Sequence, residues 1–308
     1  MTRVAAIDVG TNSVRLLVAD SGAPLRILER HMTVTRLGAG VDAVGRLDDA
    51  ALARTLDCID GFARRARGLG AERLRVAATS AVRDAADRDR FFTGVRDRTG
   101  VEAEVLTGAV EAATAFAGAT GAVQGEPPYL VLDIGGGSTE LILGGDAPDA
   151  ATSRQLGCVR LTERCLPSDP PTGGEVAQAR AVADAELEAA AGVVAAGDAR
   201  TLVGVAGTVT TLGALALGLP AYEPDRIHGT RMSYERVVAL TDELAAMTAR
   251  QRAALGPMAP GREDVIVGGA IILERAMARF GFSAVLVSEA DILDGLAIEL
   301  LAPSSRQP

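Results

Sequence analysis

The 308-residue chain contains no lysine and no tryptophan, and all 31 of its basic residues are arginine. Without lysine there is no phosphate loop of the GK[ST] type and no Schiff-base chemistry. Two histidines, His31 and His228, are too few for an HExxH or multi-histidine zinc site. Aromatic residues make up only 3%, which argues against stacking platforms for single-stranded nucleic acid. The three cysteines, Cys58, Cys158 and Cys165, form no CxxC pair. Their odd number suits a reducing compartment, with Cys158 and Cys165 as small buried hydrophobes. An excess of positive charge is also lacking: 40 acidic against 31 basic residues leave a net charge of −9. No broad basic surface for a nucleic-acid duplex can be built from that balance. The apolar opening is interrupted at Asp8, unlike a signal peptide. The uncharged run from Thr201 to Tyr222 has membrane-spanning length. Its glycines (Gly204, Gly207, Gly213, Gly218), Pro220 and threonines read instead as strand, glycine loop and buried helix. A cytoplasmic protein is expected, with no nucleic-acid partner and no membrane.

Hydrophobic residues amount to 48%, enough for a sizeable core. Strands are predicted at Val4–Asp8, Ser13–Ala19, Leu74–Ala78, Tyr129–Asp133, Thr201–Val205 and Ala284–Ser288. Helices are predicted from Asp48 onward, over Asp84–Arg98, behind a Thr172-Gly-Gly-Glu175 capping box, and behind Ser233. The turn formers of Gly121–Pro128 mark a boundary, giving lobes over residues 1–125 and 126–308. An ungapped internal repeat supports two related lobes. Ile7-Asp-Val-Gly-Thr-Asn-Ser-Val-Arg-Leu16 aligns on Leu132-Asp-Ile-Gly-Gly-Gly-Ser-Thr-Glu-Leu141 at an offset too long for a solenoid. Each lobe then opens with strand, Asp-x-Gly turn, strand, and two such lobes facing each other place both turns in one cleft.

A strand that ends in Asp-x-Gly and runs into glycines and a serine exposes backbone N–H groups on a concave surface that suits phosphate oxygens. The carboxylate at the strand end can hold Mg²⁺ against those oxygens. Asp133-Ile-Gly-Gly-Gly-Ser-Thr-Glu140 has all these parts and adds a second acid seven residues on. Val205-Ala-Gly-Thr208 offers a third glycine turn at a helix start. Ala78-Thr-Ser-Ala-Val-Arg83 reads either as a phosphate clamp or as an ordinary helix cap. Glu111 sits at a helix N-terminus, where the dipole stabilises a carboxylate with or without a catalytic role. His228 reads as a turn residue, and the Asp87-Arg-Asp-Arg90 run as a solvated helix face.

These segments together resemble the exopolyphosphatase / guanosine pentaphosphate phosphohydrolase (Ppx/GppA) family of the actin-like ATPase superfamily. The resemblance continues through Leu106-Thr-Gly108 with Glu111, Leu156-Gly-Cys-Val-Arg-Leu-Thr-Glu163, Ile227-His-Gly229, Asp264-Val-Ile-Val-Gly-Gly-Ala270 and Ser288-Glu-Ala-Asp-Ile-Leu-Asp-Gly295. It implies an α/β fold of two actin-like (ribonuclease H-like) lobes with an active-site cleft between them. It further implies Mg²⁺-dependent release of terminal phosphate from inorganic polyphosphate. By that likeness Glu111 is the general base and Glu140 helps to orient the water. Asp133 and Glu140 hold Mg²⁺, or Mn²⁺, since oxygen ligands suit both. Gly135, Gly136, Gly137 and Ser138 cradle phosphate, as do Gly207 and Thr208. Asn12, Ser13, Arg15 and Arg83 bind phosphate from the other lobe, and a homodimer is the family expectation.

The sequence departs from longer relatives in stopping at 308 without their C-terminal helical extension. It also has Asp87 where Asn is expected, which adds negative charge near the Ala78–Arg83 segment. Guanosine pentaphosphate is the rival substrate. A kinase of the same superfamily, or a non-catalytic sensor of guanosine polyphosphates, are the readings from other classes.

Overall fold

The computed structural model describes residues 2–22 and 25–302. The first three strands, β1 (Arg3–Val9), β2 (Ser13–Asp20) and β3 (Arg26–Val34), form an antiparallel meander. Two helical crossovers then add β4 (Arg73–Ala78) parallel to β1 and β5 (Ala103–Val105) parallel to β4. The resulting five-stranded sheet has the order β3-β2-β1-β4-β5. Central β1 is a run of small and branched apolar residues buried on both faces, as a strand covered by helices on each side must be.

The plan then repeats. Strands β6 (Tyr129–Ile134), β7 (Thr139–Gly144) and β8 (Pro148–Arg154) make a second meander, and β9 (Thr201–Val205) lies parallel to β6. Strands β10 (Arg231–Ser233) and β11 (Ala284–Val287) complete a six-stranded sheet of order β10-β11-β9-β6-β7-β8. Setting β10 aside, this is the order of the first sheet, so the repeat seen in ten residues extends to the topology of both sheets. The expected α/β class with two lobes of one plan, each on a mixed sheet, is borne out.

Helices cover these sheets through the spacing read in the sequence. In the helix Asp49–Gly68, Leu52, Leu56, Ile59 and Ala66 are buried, and the Asp48 carboxylate caps the Ala51 N–H at 2.8 Å. The Thr172/Glu175 capping box is present at the head of the helix Gly173–Ala191, and Ser233 caps the helix Tyr234–Ala245. The single helix predicted over Asp84–Arg98 is instead two, Ser80–Asp84 and Asp89–Thr99, with Ala85 extended between them. The break sets Phe91 fully into the core of the first sheet. Phe91→Ala is expected to destabilise that unit by about 3–5 kcal/mol, read as a lower urea midpoint at unchanged slope.

The chain divides into two compact units, Met1–Thr107 with Ile292–Pro308, and Gly108–Asp291. This differs from a division at 125/126, because the helix Gly108–Thr120 packs on β6, β7 and β8. The helix Ile292–Leu301 returns to β1 and β2, where Arg30 Nη2 donates to both carboxylate oxygens of Asp294 at 2.7 and 2.9 Å. The run Thr201–Tyr222 is strand β9 leading directly into the helix Ala206–Ala216. Among the described residues no helix is long and apolar enough to cross a membrane.

Candidate active site

In the second unit β6 and β9 end side by side, Asp133 in register with Val205, so two glycine turns emerge from the same edge of the sheet. Loops at the carboxyl ends of parallel strands are where ligands bind in α/β sheets. The first turn is closed by a bond from Gly135 N–H to Ser138 O at 3.0 Å. Its carbonyls are all tied to the helix Cys158–Cys165. Gly135 O accepts from Cys158 N–H and Gly136 O from Val159 and Arg160 N–H, while Gly137 O accepts from Arg160 Nε. In a trans peptide the N–H that follows a carbonyl points the opposite way. The N–H groups of Gly136, Gly137 and Ser138 therefore point away from that helix, and among the described residues they meet no backbone acceptor. Successive backbone donors turned to one side in this way can form an anion-binding nest.

Asp133 and Glu140 flank the nest as direct cross-strand partners of β6 and β7, so both carboxylates lie on one face. Both are buried, as is Glu111 in the first turn of the helix Gly108–Thr120. Ser153 Oγ donates to Glu140 Oε1 at 2.6 Å. A Cβ on Gly108 would lie 3.6 Å from the Ser153 Cβ, so the helix that carries Glu111 begins against the residue that holds Glu140. Among the described residues no three His, Cys, Asp or Glu gather as a ready-made metal cage. A pair of buried carboxylates beside a phosphate nest fits Mg²⁺, which takes one or two carboxylates and completes its shell with water and phosphate oxygens.

The second turn of this unit is the junction of β9 with the helix Ala206–Ala216. Ala206 has a φ of 64° and Thr208 is buried. The Arg262 guanidinium lies against Gly207, within 2.0–2.3 Å of where a Cβ would be, so a side chain at 207 would have to displace it. The two turns are joined through Cys158, whose amide donates to Gly135 O and whose thiol bonds the Thr208 side chain. Burial raises the pKa of that thiol, which keeps it a neutral packing group, as expected.

The first unit repeats the turn with different chemistry. Gly10 N–H donates to Ser13 O at 3.0 Å, the same closure as Gly135 to Ser138. The carbonyls of Thr11 and Asn12 accept from Gly38, Thr35 and Arg36 N–H, which turns the Asn12 and Ser13 N–H groups away from that loop. Where the second unit pairs Asp133 with Glu140, the first pairs Asp8 with Arg15. Arg15 Nε and Nη2 both donate to Asp8 Oδ2, at 3.0 and 2.7 Å. An acid–base pair is neutral in itself, whereas a pair of acids offers the oxygen donors that suit a divalent cation. Thr11 Oγ1 bonds Ser80 Oγ at 2.9 Å, and Arg83 Nη1 donates to Leu106 O at 3.3 Å.

Residues 17–303 match the sequence profile of the Ppx/GppA phosphatase family. The chain belongs to that family. It is 48% identical to exopolyphosphatase 2 of Mycobacterium tuberculosis, over 97% of this chain and 99% of that one. Among solved structures it resembles a Ppx/GppA member from Aquifex aeolicus, with 28% identity, a TM-score of 0.83 and 99% of each chain covered. It also resembles an exopolyphosphatase from Cytophaga hutchinsonii, with 25% identity, a TM-score of 0.90 and coverage of 97% and 98%.

Several residues of this Ppx/GppA chain take places the sequence did not suggest. Arg262 lies outside every motif, and its one signal is its position two residues ahead of the Asp264–Ala270 segment. Asp87 is no solvated helix residue. Its carboxylate accepts from Leu47 N–H at 3.0 Å and from Arg90 at 3.1 Å, and these donors hold its pKa below the usual carboxylate range. Its charge is thereby spent on fastening two loops. His228 is a brace, its Nε2–H donating to Ala122 O at 2.8 Å and its Nδ1 accepting from Glu289 N–H at 3.2 Å. With both ring nitrogens engaged it is a structural residue.

Proposed function

We propose that this chain is an exopolyphosphatase that hydrolyses the terminal phosphoanhydride of inorganic polyphosphate. The observation that carries the reading is the outward-pointing N–H nest of Gly136, Gly137 and Ser138 flanked by Asp133 and Glu140. The name of the 48%-identical mycobacterial relative supports the choice of substrate. Phosphoryl transfer asks for positioning, charge neutralisation and an in-line water, all of which arginines, carboxylates and backbone donors supply.

In this reading Asp133 and Glu140 hold Mg²⁺, which when bound neutralises charge on the terminal phosphate oxygens. Glu111 takes the proton of the attacking water, and Glu140 helps to orient that water. Gly135 to Ser138, with Gly207 and Thr208, receive phosphate oxygens in the second unit, and Arg262 adds a cation beside them. In the first unit Asn12, Ser13, Arg15 and Arg83 bind phosphate. The protein acts in the cytoplasm, consistent with its three free cysteines, and as a homodimer, which light scattering of purified protein tests.

The deciding experiment is phosphate release by purified protein with Mg²⁺ from long-chain polyphosphate, guanosine pentaphosphate and ATP. A kcat/KM highest for polyphosphate is expected. A highest value for the pentaphosphate reassigns the substrate, and no release from either removes the hydrolase reading. Asp133→Asn is expected to raise the Mg²⁺ concentration for half-maximal rate about tenfold or more, seen in a metal titration at saturating polyphosphate.

A further inference from the structure

Only two arginines among the described residues are buried, Arg252 and Arg262. Arginine is almost never buried without partners for its donors, and these two stand at either end of one loop. Arg252 belongs to the short helix Ala249–Ala253, opened by a Thr248/Gln251 capping box. Its guanidinium donates from Nε to Glu263 O at 2.7 Å and from Nη1 to Leu244 O and Met247 O at 3.2 and 2.5 Å. Nη2 meets Asp169 Oδ1 at 3.4 Å. One side chain thus ties the end of the helix Tyr234–Ala245 to the residue that follows Arg262. From there the loop reaches the second glycine turn by two routes. The Arg262 guanidinium itself lies against Gly207. The Arg262 carbonyl accepts from Val265 and Ile266 N–H, both at 3.0 Å, and so heads the helix Ile266–Phe280. Near the start of that helix Gly269 packs on Thr208, whose Oγ1 would stand 2.4 Å from an added Cβ.

We propose that Arg252 is a positioning residue for phosphate binding, which sets the loop 254–265 so that Arg262 rests on the Gly207–Thr208 turn. The proposal rests on the exopolyphosphatase reading, in which that turn and Arg262 receive phosphate, and extends it to a residue that touches no substrate. Taking a guanidinium out of water is costly, and apolar side chains of similar volume often serve stability as well or better. What an apolar side chain cannot do is hold carbonyls from separate segments at fixed spacing. The rigid fork of arginine does so, because its donors have a set geometry. Fixing the loop in advance spares the cost of ordering Arg262 when phosphate arrives. The effect of Arg252 therefore passes through Arg262 and vanishes when Arg262 is gone.

The test is a double-mutant cycle of Arg252→Met and Arg262→Ala, read as phosphate release from polyphosphate with Mg²⁺. Methionine keeps an unbranched buried side chain and removes every donor. Melting curves fix a temperature at which all variants are folded, and rates are compared there. For Arg252→Met we expect kcat/KM to fall about tenfold, the scale of one lost charge-assisted hydrogen bond. The loss should divide between KM and kcat as it does in Arg262→Ala. Added to Arg262→Ala, the same change should cost about twofold or less, because two changes that act through one group do not add. The Mg²⁺ concentration for half-maximal rate should stay near wild type, since Asp133 and Glu140 are carried on β6 and β7. Arg252→Lys should recover part of the loss, and it takes the place of methionine in the cycle if that variant does not fold. Losses that multiply in the double variant make Arg252 a purely structural residue and overturn the proposal. Wild-type kcat/KM in the Arg252 variants, or in Arg262→Ala, also overturns it and leaves the exopolyphosphatase reading intact. A wild type that releases no phosphate from polyphosphate instead fails that reading, and the proposal with it.

Discussion

Glu111→Gln is expected to lower phosphate release from polyphosphate by about 10²–10⁴-fold, the range lost when a positioned general base is removed. The substitution keeps the shape of a buried side chain in the first turn of its helix and takes away only its ability to accept a proton. Mg²⁺ affinity and polyphosphate binding should therefore stay near wild type, and the loss should fall on kcat. Glu140→Gln gives the contrast. Its loss should be partly recovered by raising Mg²⁺, because Glu140 is assigned to the metal, whereas added metal should do nothing for Glu111→Gln. If the two variants exchange these behaviours, the base and the metal ligand have been assigned the wrong way round. A Glu111→Gln enzyme with wild-type kcat excludes Glu111 from the chemistry.

Much of this arrangement was legible in the chain because its signals are local. The Asp-x-Gly turns sit where strand periodicity meets glycine, and the repeat pairing Asp8 with Asp133 announced two units of one plan before any sheet was drawn. The capping residues Thr172 and Ser233 act within four residues of themselves and are legible for that reason. The features that escaped depend on contacts distant in sequence. Asp87 looked solvated because its strongest partner, the Leu47 amide, is 40 residues away. Arg262 carries no pattern of its own and becomes informative only once its guanidinium is seen on Gly207. The division of the chain into units likewise depends on contacts distant in sequence. Turn formers at 121–128 mark the end of a helix, while the division of the chain is decided by which sheet that helix packs on.

Gly157→Ala is expected to lower polyphosphate hydrolysis by about 10²-fold, the scale of loss when reacting groups are misplaced by an ångström, although residue 157 touches no substrate in the assignment made above. Its backbone, with φ −128° and ψ 165°, is one that alanine adopts without strain. The difficulty is space. An added Cβ would stand 2.2 Å from Gly136 O, 2.3 Å from Gly136 C and 2.5 Å from Gly137 N, all backbone atoms that cannot rotate aside. The turn has to move, and with it the N–H groups that the carbonyl bonds to Cys158, Val159 and Arg160 now aim. Overpacking of this kind costs about 1–3 kcal/mol, so the variant should fold with a lower melting temperature. Its Mg²⁺ requirement should change less than its kcat, since Asp133 and Glu140 are carried on strands. Gly173→Ala, where nothing lies within 4 Å of the new methyl, controls for the substitution itself and should leave activity unchanged. A folded Gly157→Ala enzyme with wild-type kcat would show that the donors of Gly136, Gly137 and Ser138 do not hold the reacting phosphate. The nest would then have to be reassigned to a phosphate further along the chain, with the Gly207 turn and Arg262 receiving the one that is cleaved.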